Sequence, residues 1–186
     1  MQIALKKVTY DDLEQIRQWR MLPEITKYMY TDPIITPEQQ VKWYEKNKAD
    51  PSVKYWIINV DSISIGLLCL TNIDYQNNHC SLGHYIADDR FKGKGLAKII
   101  EVNVYEYVFY SLKMNKLWFE VLEFNSKAIS LHQKFGSEVE GILREHIFKN
   151  GEYFDVIRMS ITKRKWETIR NQFINTYPII EIEDYV

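Results

Sequence analysis

Six consecutive residues, Arg90-Phe91-Lys92-Gly93-Lys94-Gly95, carry three cations and two of the seven glycines in the chain. They stand between a strand-like segment (80–87) and a run of helical periodicity (96–111). The first N–H groups of a helix lack partners and carry about half a positive charge, and glycine lets backbone approach a phosphate closely. The chemistry this spacing suits is the capture of a pyrophosphate. R-x-x-G-x-G is neither the P-loop pattern G-x-x-x-x-G-K-[ST] nor the dinucleotide fingerprint G-x-G-x-x-G.

A second cluster, Asn125 to Gly136 (NSKAISLHQKFG), follows the next strand-like segment. Its His132 is a residue type suited to moving a proton near neutral pH, with an ordinary pKa of about 6.5. Packing on a helix face with no proton role is an equal reading. Tyr85 is the rival proton donor. His84 beside it points to the opposite face of a strand, so one of the two serves. Glu120, mid-strand in WFEV, would be a base if buried with a raised pKa, but a structural ion pair is the stronger expectation.

The elements that position these residues follow from periodicity and punctuation. Residues 2–9 read as a strand and 11–20 as a helix capped at Asp11-Asp12 and stopped by Pro23. Residues 24–36 form a short helix or loop crowded with aromatics, and Thr36-Pro37 opens a helix to about Lys48. Strands at 54–60 and 64–73 flank a turn at Asp61-Ser62, and a strand at 116–123 precedes a helix ended by Gly136. Strands at 138–148 and 153–161 flank Asn150-Gly151, a strong hairpin signal. The sum is a mixed α/β (α+β) fold, with a mostly antiparallel sheet of about seven strands flanked by about four helices. The strand–helix–strand passage at 80–123 calls for neighbouring parallel strands. One domain is expected over 1–161, with 162–186 as its C-terminal extension.

Composition bounds the function. With 186 residues and 24 Lys+Arg against 25 Asp+Glu, no charge excess favours nucleic acid or an anionic membrane as partner. MQIALKKVTYDDLE lacks the basic flank and apolar core of a signal peptide, so a cytoplasmic location is expected. Cys69 and Cys80 have no metal-like partners nearby, and neither a metal nor a disulfide framework is expected. The apolar-acidic tail PIIEIEDYV is a candidate edge for pairing in a homodimer.

The two clusters, R-x-x-G-x-G after a strand and then N-x-x-A-x-x-x-H-x-K-x-G, resemble the GCN5-related N-acetyltransferase (GNAT) superfamily from about residue 2 to 161. The resemblance implies a sheet splayed between its fourth and fifth strands and acetyl-CoA as cosubstrate. The amides of Gly93, Lys94, Gly95, Leu96 and Ala97, with Arg90 and Lys92, would hold the pyrophosphate. The backbone of 84–88, including Ile86, Ala87 and Asp88, would pair with the pantetheine arm, joined by Asn125, Lys127 and Lys134. The family often places a tyrosine at His132, as the acid that protonates the leaving thiolate.

Within that superfamily the N-terminal third resembles sugar-nucleotide N-acetyltransferases of the pseudaminic acid pathway. These act on UDP-4-amino-4,6-dideoxy-N-acetyl-β-L-altrosamine. The matching residues are Arg20-Met21-Leu22-Pro23, Met29-Tyr30, Glu120-Val121 and Glu138-Val139-Glu140-Gly141-Ile142-Leu143-Arg144. Arg20, Met29, Tyr30, Gln40, Thr71 and Tyr85 would then line the acceptor cleft, with Gln40 where relatives carry histidine. A guanidinium suits phosphate and an aromatic ring suits uracil. The competing expectations are an N-terminal (ribosomal-protein type) acetyltransferase, which would want carboxylates in its groove, and a non-enzymatic acyl-CoA-binding module.

Overall fold

The computed structural model describes residues 1–185. In chain order it contains β1 (Ile3–Lys7), α1 (Leu13–Arg20), α2 (Pro23–Thr26), α3 (Pro37–Lys48), β2 (Lys54–Val60), β3 (Ile63–Asp74), β4 (His79–Ile86) and α4 (Leu96–Glu106). Then follow β5 (Lys116–Leu122), α5 (Ser126–Lys134), β6 (Glu138–Lys149), β7 (Glu152–Thr162), α6 (Lys163–Ile169), α7 (Asn171–Ile174) and β8 (Glu181–Ile182). Beyond seven strands and four helices stand the short α2, in the segment read as a short helix or loop, and α6, α7 and β8 in the C-terminal extension. Two compact units divide the chain: Met1–Ile73, Leu82–Lys94 and the segment from Ile180 form one, and Asp74–Ser81 with Gly95–Ile179 form the other.

In the first unit the strands run in the order β4-β3-β2-β1-β8. β1 and β2 pair antiparallel from Ile3↔Val60 to Lys7↔Trp56. β2 returns into β3 through Asp61 and Ser62, both left-handed at φ 48° and 67°, the geometry a two-residue hairpin demands. The buried Leu13, Ile16 and Trp19 recur every third residue along α1, and Ile16 and Trp19 pack with Ile25 on Ile57, Leu67 and Ala87. The helix start differs from expectation: Thr9 caps a preceding 3₁₀ turn, and Asp12 Oδ2 accepts from both its N–H and its hydroxyl at 2.8 Å. α3 begins where expected. Thr36 Oγ1 accepts from Gln39 N at 3.3 Å while Gln39 Oε1 accepts from Thr36 N at 2.8 Å, a capping box that fixes the first turn. The tail expected at a dimer edge pairs with its own β1, in parallel, at Ala4↔Glu181 and Leu5↔Ile182.

In the second unit, β4 meets β5 in parallel at His79↔Lys116, Cys80↔Leu117 and Ser81↔Trp118. The paired register of the two strands ends at Ser81↔Trp118. β7 lies antiparallel between β5 and β6, and the β6–β7 hairpin turns on Asn150 and Gly151 at φ 53° and 84°. α4 is followed by a π turn at Tyr107–Ser111, closed by Leu112 N donating to Tyr107 O at 2.9 Å. Gly136, φ 91°, ends α5, and a Cβ there would stand 2.3 Å from Ile169 Cδ1.

Candidate active site

The first unit holds a cavity of about 320 Å³ whose lining includes Arg20, Met29, Gln40 and Tyr85, four of the six residues expected at the acceptor. Tyr30 and Thr71 are not among the lining residues. Arg20 closes α1, and its guanidinium donates to Thr31 O at 3.2 Å and Thr31 Oγ1 at 3.0 Å. Burial pulls its pKa below the usual arginine value, opposed by Tyr85 and Asp32. Arg17 is committed elsewhere: it pairs with Glu14 at 2.6 Å and donates to Ile35 O at 2.8 Å, tying the aromatic-rich loop to α1.

Gln40, in the first turn of α3, is 4% exposed, and its Nε2 has no hydrogen-bond partner among the described residues. The Tyr85 hydroxyl is likewise buried and unpartnered, and burial pushes its pKa up. Around these donors the wall is apolar and aromatic: Ile16, Met29, Leu67 and the edge-to-face pair Trp43–Tyr55 at 4.7 Å. Among the described residues no aspartate or glutamate lines it. Gly83, His84 and Tyr85 all contribute to the wall, so the backbone of β4 takes part. Gly66 on β3 makes this possible, because a Cβ there would meet Tyr85 O at 2.1 Å. A glycine inside the apolar run SIGLLCL was the sequence signal for that close approach. Trp43 and Tyr55 carried no such signal, since aromatics on amphipathic elements read as ordinary core.

The glycine loop has the predicted backbone. Gly93 and Gly95 adopt φ 75° and 79°, with open space where each Cβ would be. Gly95 caps α4 without a side chain, and Lys98 N is the first amide to donate back to its carbonyl, at 3.0 Å. The amides of Leu96 and Ala97 therefore lack acceptors within the helix. The side chains are less available than expected. Arg90 is paired with Asp88 at 2.6 Å, Lys92 with Asp89 at 2.5 Å, and Lys94 Nζ lies 5.3 Å from the Phe91 ring centre. The Arg90 hydrogen bond holds the Asp88 carboxyl below the usual carboxylate range. The N–H groups of Ala87 and Asp88 both donate to Ile65 O, at 2.7 and 3.2 Å, so neither is spare for a pantetheine arm. Backbone donors and two left-handed glycines still fit a pyrophosphate.

In the second unit, Asn125 caps α5, its Oδ1 accepting from Ala128 N at 3.3 Å, while Lys127 and Lys134 stand exposed on that helix. His132 is 6% exposed. Its Nδ1 lies 2.6 Å from Glu101 Oε1, and its ring stacks on Phe119 with centroids 3.9 Å apart. The same Glu101 oxygen accepts from the Tyr105 hydroxyl at 2.6 Å, which in turn lies 3.0 Å from Ser137 Oγ. Sequence reasoning missed Glu101. Its signal was a carboxylate on the buried stripe of an otherwise apolar helix, LAKIIEVNVYE. Glu120 is ion-paired with Arg158 at 2.8 Å, the structural role expected of it. Among the described residues no group of three His, Cys, Asp or Glu is placed to hold a metal, and no helix is long and apolar enough to cross a membrane.

Comparison with known proteins agrees with this fold. Residues 2–138 match the acetyltransferase (GNAT) domain family. The spermidine N(1)-acetyltransferase of Escherichia coli (strain K12) is 27% identical over 164 residues, 88% of each chain. Acetyltransferase PseH of Campylobacter jejuni is 31% identical over 135 residues, 71% of this chain and 82% of that one. The crystal structure of spermidine N-acetyltransferase from Vibrio cholerae in complex with CoA and spermine superposes with a TM-score of 0.84 at 28% identity, covering 89% of this chain and 98% of that one. With the mixed sheet, the glycine turn into α4 and a domain match across most of its length, the chain belongs to the GNAT family and is an acetyl-CoA-dependent N-acetyltransferase.

Proposed function

We propose that the acceptor is a UDP-linked amino sugar of the pseudaminic acid type, acetylated on its 4-amino group. The observation that carries this reading is the cavity of the first unit, with a guanidinium and an aromatic wall but no carboxylate. Arg20 would meet phosphate oxygens, and Trp43 or Tyr55 would lie against a planar base. The kinship to PseH, at 31% identity, supports it.

The amine nitrogen attacks the thioester carbonyl carbon. The carbon–nitrogen bond forms, the carbon–sulfur bond breaks, and the thiolate takes a proton while the amine releases one. The glycine loop, through Gly93, Lys94, Gly95, Leu96 and Ala97, would hold the cosubstrate, with Asn125, Lys127 and Lys134 along α5. Arg20, Met29 and Gln40 would hold the acceptor. His132 is the proton donor, with Tyr85 as the rival.

A polyamine acceptor is the second reading, favoured by the spermidine acetyltransferases among the relatives. A polycation in a cavity that offers Arg20 and no acid has no charge to meet it. Turnover by mass spectrometry, with acetyl-CoA and a UDP-4-amino sugar, spermidine and an N-terminal ribosomal-type peptide offered together, tests the choice. Acetylation of the sugar nucleotide is expected. Acetylation of spermidine or the peptide alone overturns the acceptor while keeping the enzyme class.

A further inference from the structure

We propose that Glu101 is a positioning residue for His132: the buried carboxylate fixes the imidazole with a proton on Nδ1 and leaves Nε2 to protonate the departing thiolate. This rests on the reading above in which His132 is the donor. Glu101 is 0% exposed, and a carboxylate is not buried cheaply unless it is hydrogen-bonded to strong donors. Its Oε1 accepts from the Tyr105 hydroxyl at 2.6 Å and lies 2.6 Å from His132 Nδ1, where a proton on that nitrogen would be donated to it. The tyrosine is oriented in turn by Ser137, whose hydroxyl lies 3.0 Å away. Phe119 supports the face of the ring at 3.9 Å. The imidazole is thus held in rotation and in tautomer by a carboxylate that is itself held from its own helix.

One nitrogen remains. Among the described residues Nε2 makes no hydrogen bond, yet it is not shut off from solvent as Gln40 Nε2 and the Tyr85 hydroxyl are. With Nδ1–H engaged by Glu101, the proton a charged ring can give away is the one on Nε2. As the carbon–sulfur bond breaks, that proton passes to sulfur. The ring is left neutral with its proton on Nδ1, and solvent restores the second. Among the described residues the ionisable groups bonded to the imidazole are Glu101 and, through it, Tyr105; Phe119 and Ser137 bring no charge.

The test combines a tautomer measurement on the full-length wild-type chain with the steady-state kinetics of Glu101→Gln across pH. Long-range ¹⁵N–¹H correlation of His132, assigned by loss of its signals in His132→Ala, should show Nδ1 protonated at neutral and alkaline pH. An Nε2–H tautomer there overturns the proposal without any dependence on variant folding. Glu101→Gln should lower kcat about 10- to 100-fold and move the pH limb of kcat, with the KM for acetyl-CoA nearly unchanged. Wild-type kcat and an unmoved limb in Glu101→Gln, beside a slow His132→Ala, would remove Glu101 from the reaction while leaving the donor in place. Wild-type kcat in His132→Ala would instead remove the donor reading on which the proposal stands.

Discussion

At the scale of single residues, the cavity side chains separate binding from folding. Arg20 donates to the carbonyl and hydroxyl of Thr31, both neutral, and Asp32 nearby favours its charged form, so a cation stands at the cavity wall. Arg20→Ala should raise the acceptor KM by roughly 10- to 100-fold, the worth of a charge-assisted hydrogen bond, and leave the KM for acetyl-CoA unchanged. Steady-state kinetics with each substrate varied in turn checks this. Tyr85 makes a sharper case, because its hydroxyl is buried without a partner. An unsatisfied hydroxyl costs stability, so Tyr85→Phe should melt at the same temperature as the wild type or higher, yet bind the acceptor more weakly. A melting temperature several degrees lower would mean that the hydroxyl has a partner after all. Should Tyr85→Phe lower kcat far more than His132→Ala does, Tyr85 is the proton donor.

At the scale of elements, two glycines shape the turn into α4 and a third sets the spacing of two strands. Left-handed φ of 75° and 79° at Gly93 and Gly95 is strained for any β-branched residue. Gly95→Val should abolish acetyl-CoA binding in a calorimetric titration, whereas Arg90→Ala, already neutralised by Asp88, should weaken it far less. Equal losses would return the side-chain charge to first place. Gly66→Ala pushes a Cβ into the carbonyl of Tyr85, and rigid backbone leaves no cheap way to yield. Overpacking of this kind costs about 1–3 kcal/mol, and here it also displaces the wall of the cavity. Reduced thermal stability together with a raised acceptor KM is the expected pair.

At the scale of the molecule, the chain's own end and its buried phenols govern stability. Tyr185 stacks edge-on against Trp56 at 5.2 Å, takes the N–H of Tyr55 at 3.0 Å and donates to the Tyr55 carbonyl. Trp56 Nε1 donates to Glu183 O at 2.8 Å. Tyr185→Ala should therefore cost about 1–3 kcal/mol in chemical denaturation, from one aromatic pair and its hydrogen bonds. Burial pushes the hydroxyls of Tyr55, Tyr85 and Tyr105 above the ordinary tyrosine range. The unfolded chain ionises near pH 10 while these folded groups keep their protons, so their contribution is complete below pH 10 and lost as pH rises beyond it. Melting temperatures measured between pH 7 and 11 should fall at the alkaline end, and less steeply in Tyr85→Phe.

Local rules were enough to read much of this protein from its residues. Asn150-Gly151, Gly136 and the two glycines before Leu96 call for left-handed backbone, and Thr36-Pro37 opens a helix; each is decided within a few neighbours. Four of the six residues expected at the acceptor line one cavity, and of these Arg20 and Met29 stood in short motifs. The rest depended on partners distant in sequence. No pattern at Gln40 or Tyr85 shows that their donors are enclosed and unpartnered, and none at Arg90 shows that Asp88 claims its charge. The tail does form an edge strand, but the strand that holds it, β1, lies some 175 residues earlier in the chain, beyond the reach of any local pattern. His132 was visible as a candidate proton carrier, but Glu101 stands 31 residues away on another helix. Only packing α5 against α4 turns a carboxylate in an apolar stripe into the group that holds that histidine, because burial and pairing are properties of the folded chain rather than of either segment.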